Sequence, residues 1–317
     1  MNGYVMTVRG PVQPDKIGRA HSHEHLVAYA TPALVAGDAD LALNEPDKVV
    51  PDLEAFQTAG GGAVAEMTTV DYGRDAAALR RLSERTGVHV LAATGFNKGV
   101  YARRFTEHAS PQALAERMVL DLTEGMDGTG IRAGFVKFGT GLNRIDPWEA
   151  QAGRAAARAH LETGAPIATH TEAGTMAHEQ LDLLESEGVS PSRVIVCHMD
   201  RNPDRELHIS LIRRGAYLSY DQIPKPKYDT EKSSIALLAA LGQQGLHDHV
   251  MIGGDYARRQ YFAGWGGNPG LAYLFTEFKH KLHCALRQAD LDAEAVWDAL
   301  TLYNPAEAFV WHSAAPS

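Results

Sequence analysis

Cysteine is scarce in this sequence, whose 317 residues include only Cys197 and Cys284. Two cysteines exclude a disulfide framework, and their separation excludes a Cys-x-x-Cys redox or zinc motif, so a reducing, cytoplasmic setting is expected. Long apolar runs are missing too. No uncharged apolar stretch reaches the roughly 18 residues of a membrane helix. Met1 to Gly10 lack the apolar core of a signal peptide, so neither export nor a membrane span is expected. Positive charge is in deficit, with 30 Lys and Arg against 39 Asp and Glu and a formal net charge of −9. Nucleic acids and anionic membrane surfaces require a wide basic field, which excludes both as general partners. Any anion must therefore meet a local cluster. Also absent is a glycine-rich turn between the first strand and first helix, the usual fingerprint of a doubly wound dinucleotide-binding sheet.

What is present points to a barrel. Short apolar runs at 62–68, 88–93, 132–138, 165–170, 192–197, 216–220 and 249–254 alternate with stretches of helical period, such as Trp148 to Thr163 and Ser233 to Gln244. That alternation predicts parallel strands joined by helical crossovers. The segment before His23 makes the eighth strand of a (β/α)8 TIM barrel. Glycines at 60, 87, 164, 188, 215 and 245 fall where a helix should end and the next strand begin, as suits a residue that tolerates the left-handed conformation. No linker-like change of composition divides the chain, so residues 1–317 are expected to form a single domain. Residues 1–14 should form a small antiparallel flap, and Leu291 to Phe309 should add helix after the eighth unit.

Metal-ligand residues recur at strand ends. Ser22-His23-Glu24-His25 closes the first strand, and side chains two apart share a face of a strand. His170 ends Pro-Ile-Ala-Thr-His, His198 ends Val-Ile-Val-Cys-His, and Asp255 ends Val-Met-Ile-Gly-Gly-Asp. A single such residue would be read as a satisfied core group. Four strands ending this way, at the rim where barrel enzymes place their chemistry, point to a metal site. Lys137 also falls at a strand end among apolar neighbours, where lost solvation lowers its pKa. A neutral amine there could take up carbon dioxide as a carbamate, an anion suited to bridging two cations. By contrast, His247-Asp248-His249 precedes the eighth strand and should be a solvated turn on the opposite face.

The loops after the last two strands carry Lys225, Lys227, Arg258, Arg259 and Tyr261. In an acidic chain, this local group of cations suggests a small anionic substrate, with arginine well matched to phosphate. Asn97 and Tyr101, after the third strand, could touch the substrate or satisfy loop backbone. Glu66 could be a further acid or a buried ion-pair partner.

The order His-x-His, Lys, His, His, Asp resembles the amidohydrolase superfamily, and in particular its phosphotriesterase-related lactonase family, over nearly the whole chain. The likeness is strongest at Ser22-His23-Glu24-His25-Leu26, at Asp71-Tyr72-Gly73-Arg74-Asp75 with Thr86-Gly87-Val88, at Thr169-His170-Thr171-Glu172, and at Asn304-Pro305-Ala306-Glu307-Ala308-Phe309. The resemblance implies two divalent cations, zinc first, with manganese, iron or cobalt also suited to these ligands. His23, His25 and Asp255 would hold the more buried ion, and His170 and His198 the exposed one. Carbamylated Lys137 and a hydroxide would bridge them, and Asp255 would carry the proton to the leaving group. His21 departs from the family pattern and leaves a His21/His23 register conceivable.

Asp255-Tyr256-Ala257-Arg258-Arg259 with Tyr261 and Gly266-Gly267-Asn268-Pro269-Gly270 resembles the branch that opens phosphorylated sugar lactones, such as five-carbon 1,4-lactone 5-phosphates. That branch implies Lys227, Arg258 and Tyr261 on the phosphate, with Lys225 and Arg259 as substitutes. Acyl-homoserine lactonases and organophosphate triesterases share the metal machinery but want an apolar pocket. A non-catalytic metal-binding scaffold is the alternative of another class. A homodimer is the family-based expectation.

Overall fold

In the computed structural model, which describes residues 3–30 and 37–312, a short hairpin precedes the main sheet. Its strands β1 (Gly3–Thr7) and β2 (Gly10–Val12) pair antiparallel. The first four barrel strands follow as β3 (Arg19–Glu24), β4 (Gly61–Glu66), β5 (His89–Gly95) and β6 (Phe135–Gly139). The other four are β7 (Ile167–His170), β8 (Val194–Cys197), β9 (Tyr217–Tyr220) and β10 (Val250–Ile252). Each lies beside its neighbour in sequence, and the pairings between successive strands are parallel. The two edges meet where Gly254 and Asp255 donate their backbone N–H groups to the His23 carbonyl, at 3.3 and 2.9 Å. This is a (β/α)8 barrel. Side chains then alternate between the barrel axis and the surrounding helices.

The inward layer is built of small and medium residues, among them Ala63, Ala65, Ala93, Ala168, Ile195 and Met251. Phe135 and Phe309, with ring centroids 5.3 Å apart, plug its lower end. The outward layer is richer in branched residues such as Val64, Val90, Val136, Ile167, Val196 and Ile252, which pack against helices. Burial on both faces explains why these strands appear in the sequence as short continuous apolar runs.

The expected strands match within a few residues, and the departures have local causes. The 192–197 run begins at Val194 because Pro191–Arg193 forms a 3-10 turn, with the Ser190 side chain accepting from the Ser192 N–H. The 249–254 run shortens to three residues because Gly253 and Gly254 leave the strand to pass under β3. A Cβ at Gly253 would sit 2.8 Å from the His23 nitrogen.

The flap gains a third strand, β11 (Val310–His312), which pairs with β1 and was not anticipated. Helices Ala293–Asp298 and Asn304–Ala308 supply the extra C-terminal helix, joined through a π-helical turn. Asn304 donates to the carbonyls of His247 and Val250, at 2.8 and 2.7 Å. His247-Asp248-His249 is accordingly a short turn into β10, on the face away from the strand ends.

One glycine is demanded by the barrel itself. Gly95 ends β5 with φ +97°, and a Cβ there would lie 2.0 Å from the Lys137 carbonyl oxygen. Alanine would meet both a resisted backbone conformation and an immovable carbonyl. Gly95→Ala should therefore lower stability by about 2–4 kcal/mol, read as a fall in the guanidinium unfolding midpoint. An unchanged midpoint would show that β5 and β6 can separate at no cost.

Candidate metal centre

The ionisable groups gather where the strands end. His23, His25, Lys137, His170, His198 and Asp255 line one cavity of about 320 Å³ at the C-terminal rim. All but Asp255 and His170 are buried, and those two are only partly exposed. The His-x-His register is His23 with His25. His21 points outward instead, with Phe56 edge-on to its ring and Phe275 stacked on it. An irregularity in the pairing of β3 with β4 between His21 and Glu24 reverses the facing. His21 has its own use: its Nδ1 lies 2.6 Å from Glu24 Oε1. Glu24 in turn accepts from the backbone of Gly254 and Tyr256, at 2.7 and 2.9 Å, and so fixes the turn that carries Asp255.

Each imidazole is aimed by a partner behind it. His25 Nδ1 donates to Thr68 Oγ1 at 2.8 Å, and Thr68 donates to Glu66 at 2.6 Å, which leaves His25 Nε2 bare and 3.2 Å from Asp255 Oδ1. Glu66 also accepts the Leu26 N–H and anchors the turn after β3, and burial raises its carboxyl to about 7. His198 Nδ1 lies 2.5 Å from Asp221 Oδ1, so its Nε2 faces His170 Nδ1 at 2.7 Å. On its far side, His170 Nε2 sits 3.4 Å from Glu172. Two imidazole lone pairs that close repel unless a cation comes between or beside them.

His23 makes the same demand. Both its ring nitrogens are buried without a well-directed hydrogen bond, although Asp221 Oδ2 is 3.1 Å from Nδ1 and Asp255 Oδ1 is 3.4 Å from Nε2. Two overlapping sets, His23 with His25 and Asp255 and His23 with His198 and Asp221, bring donor atoms within 4.8 Å of one another. The donors therefore suit divalent cations by chemistry and by unmet demand.

Electrostatics agree. Burial drives His25 down to about 3, so it stays neutral. Burial also lowers His170 and Lys137. Burial alone would raise Asp255, but Lys225 and His23 hold it well below the usual carboxylate range. Burial likewise opposes charging of His23, yet Asp221 with its neighbours raises it well above its ordinary value. This buried anionic surround favours a positive charge at His23, which a metal ion would supply in place of a proton.

Asp221 was not among the sequence candidates. It follows β9 directly, so the signal was the same strand-end acid that marked Asp255. Lys98, Glu172 and Gln222 were missed because they sit on loops, and Tyr72 because it ends a short 3-10 turn. Gln222 donates to Asp255 Oδ2 at 2.7 Å. Lys225 also pairs with Asp255 Oδ2. Lys227, Tyr261, Asn97 and Tyr101 all line the cavity. Arg258 lines it too but is engaged with Asp38 and Asp40, at 2.7 and 3.3 Å. Arg259 is turned away: its guanidinium reaches the Ala42 carbonyl and Asn44, and it faces a neighbouring cavity instead.

Barrel and rim together define a hydrolase with the donor set for a metal centre. The chain belongs to the phosphotriesterase family, whose model matches residues 3–309. It is 35% identical over 280 residues to the phosphotriesterase homology protein of Escherichia coli (strain K12), covering 88% of this chain and 95% of that one. Over 326 residues it is 28% identical to a phospho-furanose lactonase of Mycoplasmopsis synoviae (strain 53), with 96% and 91% covered. The crystal structure of a lactonase from Listeria monocytogenes superposes with a TM-score of 0.93 at 34% identity, covering 98% of this chain and 100% of the other.

Because Asp221 touches both His23 and His198, Asp221→Asn should loosen both at once. Metal retained through gel filtration, measured by elemental analysis, should fall, with affinity down about 10–100-fold as for other outer-shell partners. Full retention would assign Asp221 to packing only.

Proposed function

We propose that this hydrolase opens a phosphorylated sugar lactone, of the five-carbon 1,4-lactone 5-phosphate kind, to the hydroxy acid. One observation carries the choice of an anionic substrate. Among the described residues, four cationic side chains stand at the cavity mouth, and three have carboxylate partners: Lys98 with Glu172, Lys225 with Asp255, Arg258 with Asp38 and Asp40. Lys227 has none, and its ammonium lies 4.4 Å from the Tyr228 ring centroid. An unpaired lysine in the cavity that Tyr261 also lines is a ready receptor for phosphate. Arg258 would join it by exchanging Asp38 and Asp40 for the ligand. Lys225 is committed to Asp255, which makes it a poorer choice for phosphate than Lys227. Names of relatives point the same way, since the Mycoplasmopsis synoviae protein is called a phospho-furanose lactonase.

His23, His25 and Asp255 would hold the more buried cation, and His170 and His198 the exposed one, zinc being the first choice. Depressed by burial, Lys137 is suited to take up carbon dioxide and serve as a carbamate bridge. Bound cations would supply a Lewis acid for the carbonyl and an activated nucleophile from solvent. The protein's own groups do the rest. Asp255 lines the pocket with Oδ1 toward His23 and His25 and Oδ2 toward Gln222 and Lys225, so it can collect the nucleophile's proton and deliver it to the ring oxygen as the acyl C–O bond breaks. Gln222 and Lys225 keep that carboxylate in place. An apolar pocket, as an acyl-homoserine lactone or a phosphotriester would want, does not describe a mouth with four cations.

Three outcomes test this. Asp255→Asn should cut kcat by at least about a thousandfold with KM little changed; normal turnover would remove Asp255 from the chemistry. Lys227→Met should lower kcat/KM for the 5-phosphate by about 10–100-fold, the worth of a charge-assisted hydrogen bond, while sparing the unphosphorylated lactone. Equal losses on both substrates would move the phosphate elsewhere. Exhaustive chelation should abolish activity, and zinc or manganese should restore it.

A further inference from the structure

Across the cavity from Lys227 lies a pair that the hydrolytic scheme does not use. Lys98 follows β5 and Lys227 follows β9, four strands apart in an eight-stranded barrel, hence on opposite sides of the mouth. Lys98 pairs with Glu172, which follows β7. The Lys98 side chain keeps 29% of its exposure and lines the cavity, enough to reach a ligand but too little to be ordinary surface, while Glu172 holds it in place. Glu172 is pinned from three directions: Lys98 and His170 Nε2 meet its Oε2, and Arg201 meets its Oε1 at 2.7 Å. Backbone groups fix the lysine's loop. Asp71 accepts the Asn97 N–H at 2.9 Å, and Glu149 accepts the Gly99 N–H at 2.9 Å.

We infer that Lys98, held in place by Glu172, is a hydroxyl-recognition residue, which selects lactones bearing a hydroxyl on the ring carbon next to the carbonyl. The inference rests on the proposed phospholactone function. With phosphate at Lys227, the far end of the substrate is the carbonyl carbon beside His170 and His198, and its adjacent carbon falls toward Lys98, the cation on the opposite side of the cavity. An ammonium offers three donors, so Lys98 can give one to a ligand without leaving Glu172. A hydroxyl is the group that accepts it. A ring lacking it would leave that donor of a partly desolvated ammonium unmet, which is how binding sites reject deoxy analogues strongly.

The experiment compares four substrates: the five-carbon 1,4-lactone with and without its 2-hydroxyl, each with and without the 5-phosphate. For the wild-type enzyme, kcat/KM should fall by about a hundredfold or more on loss of the 2-hydroxyl, in the phosphorylated and plain pairs alike. Lys98→Met should cut that ratio to within about threefold, while the preference for phosphate stays intact. Lys98→Gln, which keeps a donor, should recover part of the ratio. Zinc content and melting temperature of each variant separate lost recognition from lost folding. A wild-type ratio near one overturns this role of Lys98, and so does a Lys98→Met variant that slows every substrate equally. Loss of the phosphate preference with the hydroxyl ratio intact would instead sink the phosphate assignment and leave this role standing.

Discussion

Removing six ionisable groups from water at one end of a barrel is the constraint from which the rest of this molecule follows. Charged or bare-nitrogen side chains in that setting are costly unless each is met by a partner of opposite demand. The chain meets the demand in layers. Imidazoles and Asp255 face inward, while Thr68, Glu66, Asp221 and Glu172 stand behind them and fix which nitrogen carries the proton. What remains unmet is concentrated on His23 and on the His170–His198 contact, where a cation would fit.

Backbone cost is concentrated at the same rim. His198 and Asp255 both adopt positive φ, at 64° and 45°, in a conformation that residues with a Cβ generally avoid. His198 sits one residue beyond the end of β8 and Asp255 three beyond the end of β10, where the chain turns sharply enough to send the side chain back over the barrel axis. Glu24 offsets part of that cost by binding the backbone around Asp255. A residue that looks in sequence like the middle member of a His-x-His motif is in fact the clamp for the turn carrying Asp255, more than two hundred positions away.

Charge at the mouth is arranged with equal economy. Most cations are held by carboxylates, which keeps their long side chains ordered and prevents mutual repulsion in so small a space. With Lys227 lacking a carboxylate partner among the described residues, one place in the cavity would attract an anion, and the ordered pairs around it would set its distance from the strand-end histidines. Selectivity would thus come from where cations are neutralised as much as from where they are.

Sequence by itself determined the barrel, its strand order and the strand-end residues that meet in one cavity, because a strand buried on both faces leaves a short apolar run and a polar residue at its end breaks that run abruptly. His170, His198, Lys137 and Asp255 were legible for that reason. Asp221 carried the same signal and was passed over beside an otherwise unremarkable turn. Only the tertiary structure decided the facing of His21, the outward turn of Arg259, the capture of Arg258 by Asp38 and Asp40, and the meeting of Lys98 with Glu172. Those outcomes depend on a pairing irregularity in β3 and on loops from different strands touching across the rim. Neither leaves a periodic trace in one dimension, since a loop's conformation is set by what it packs against and not by its own repeat.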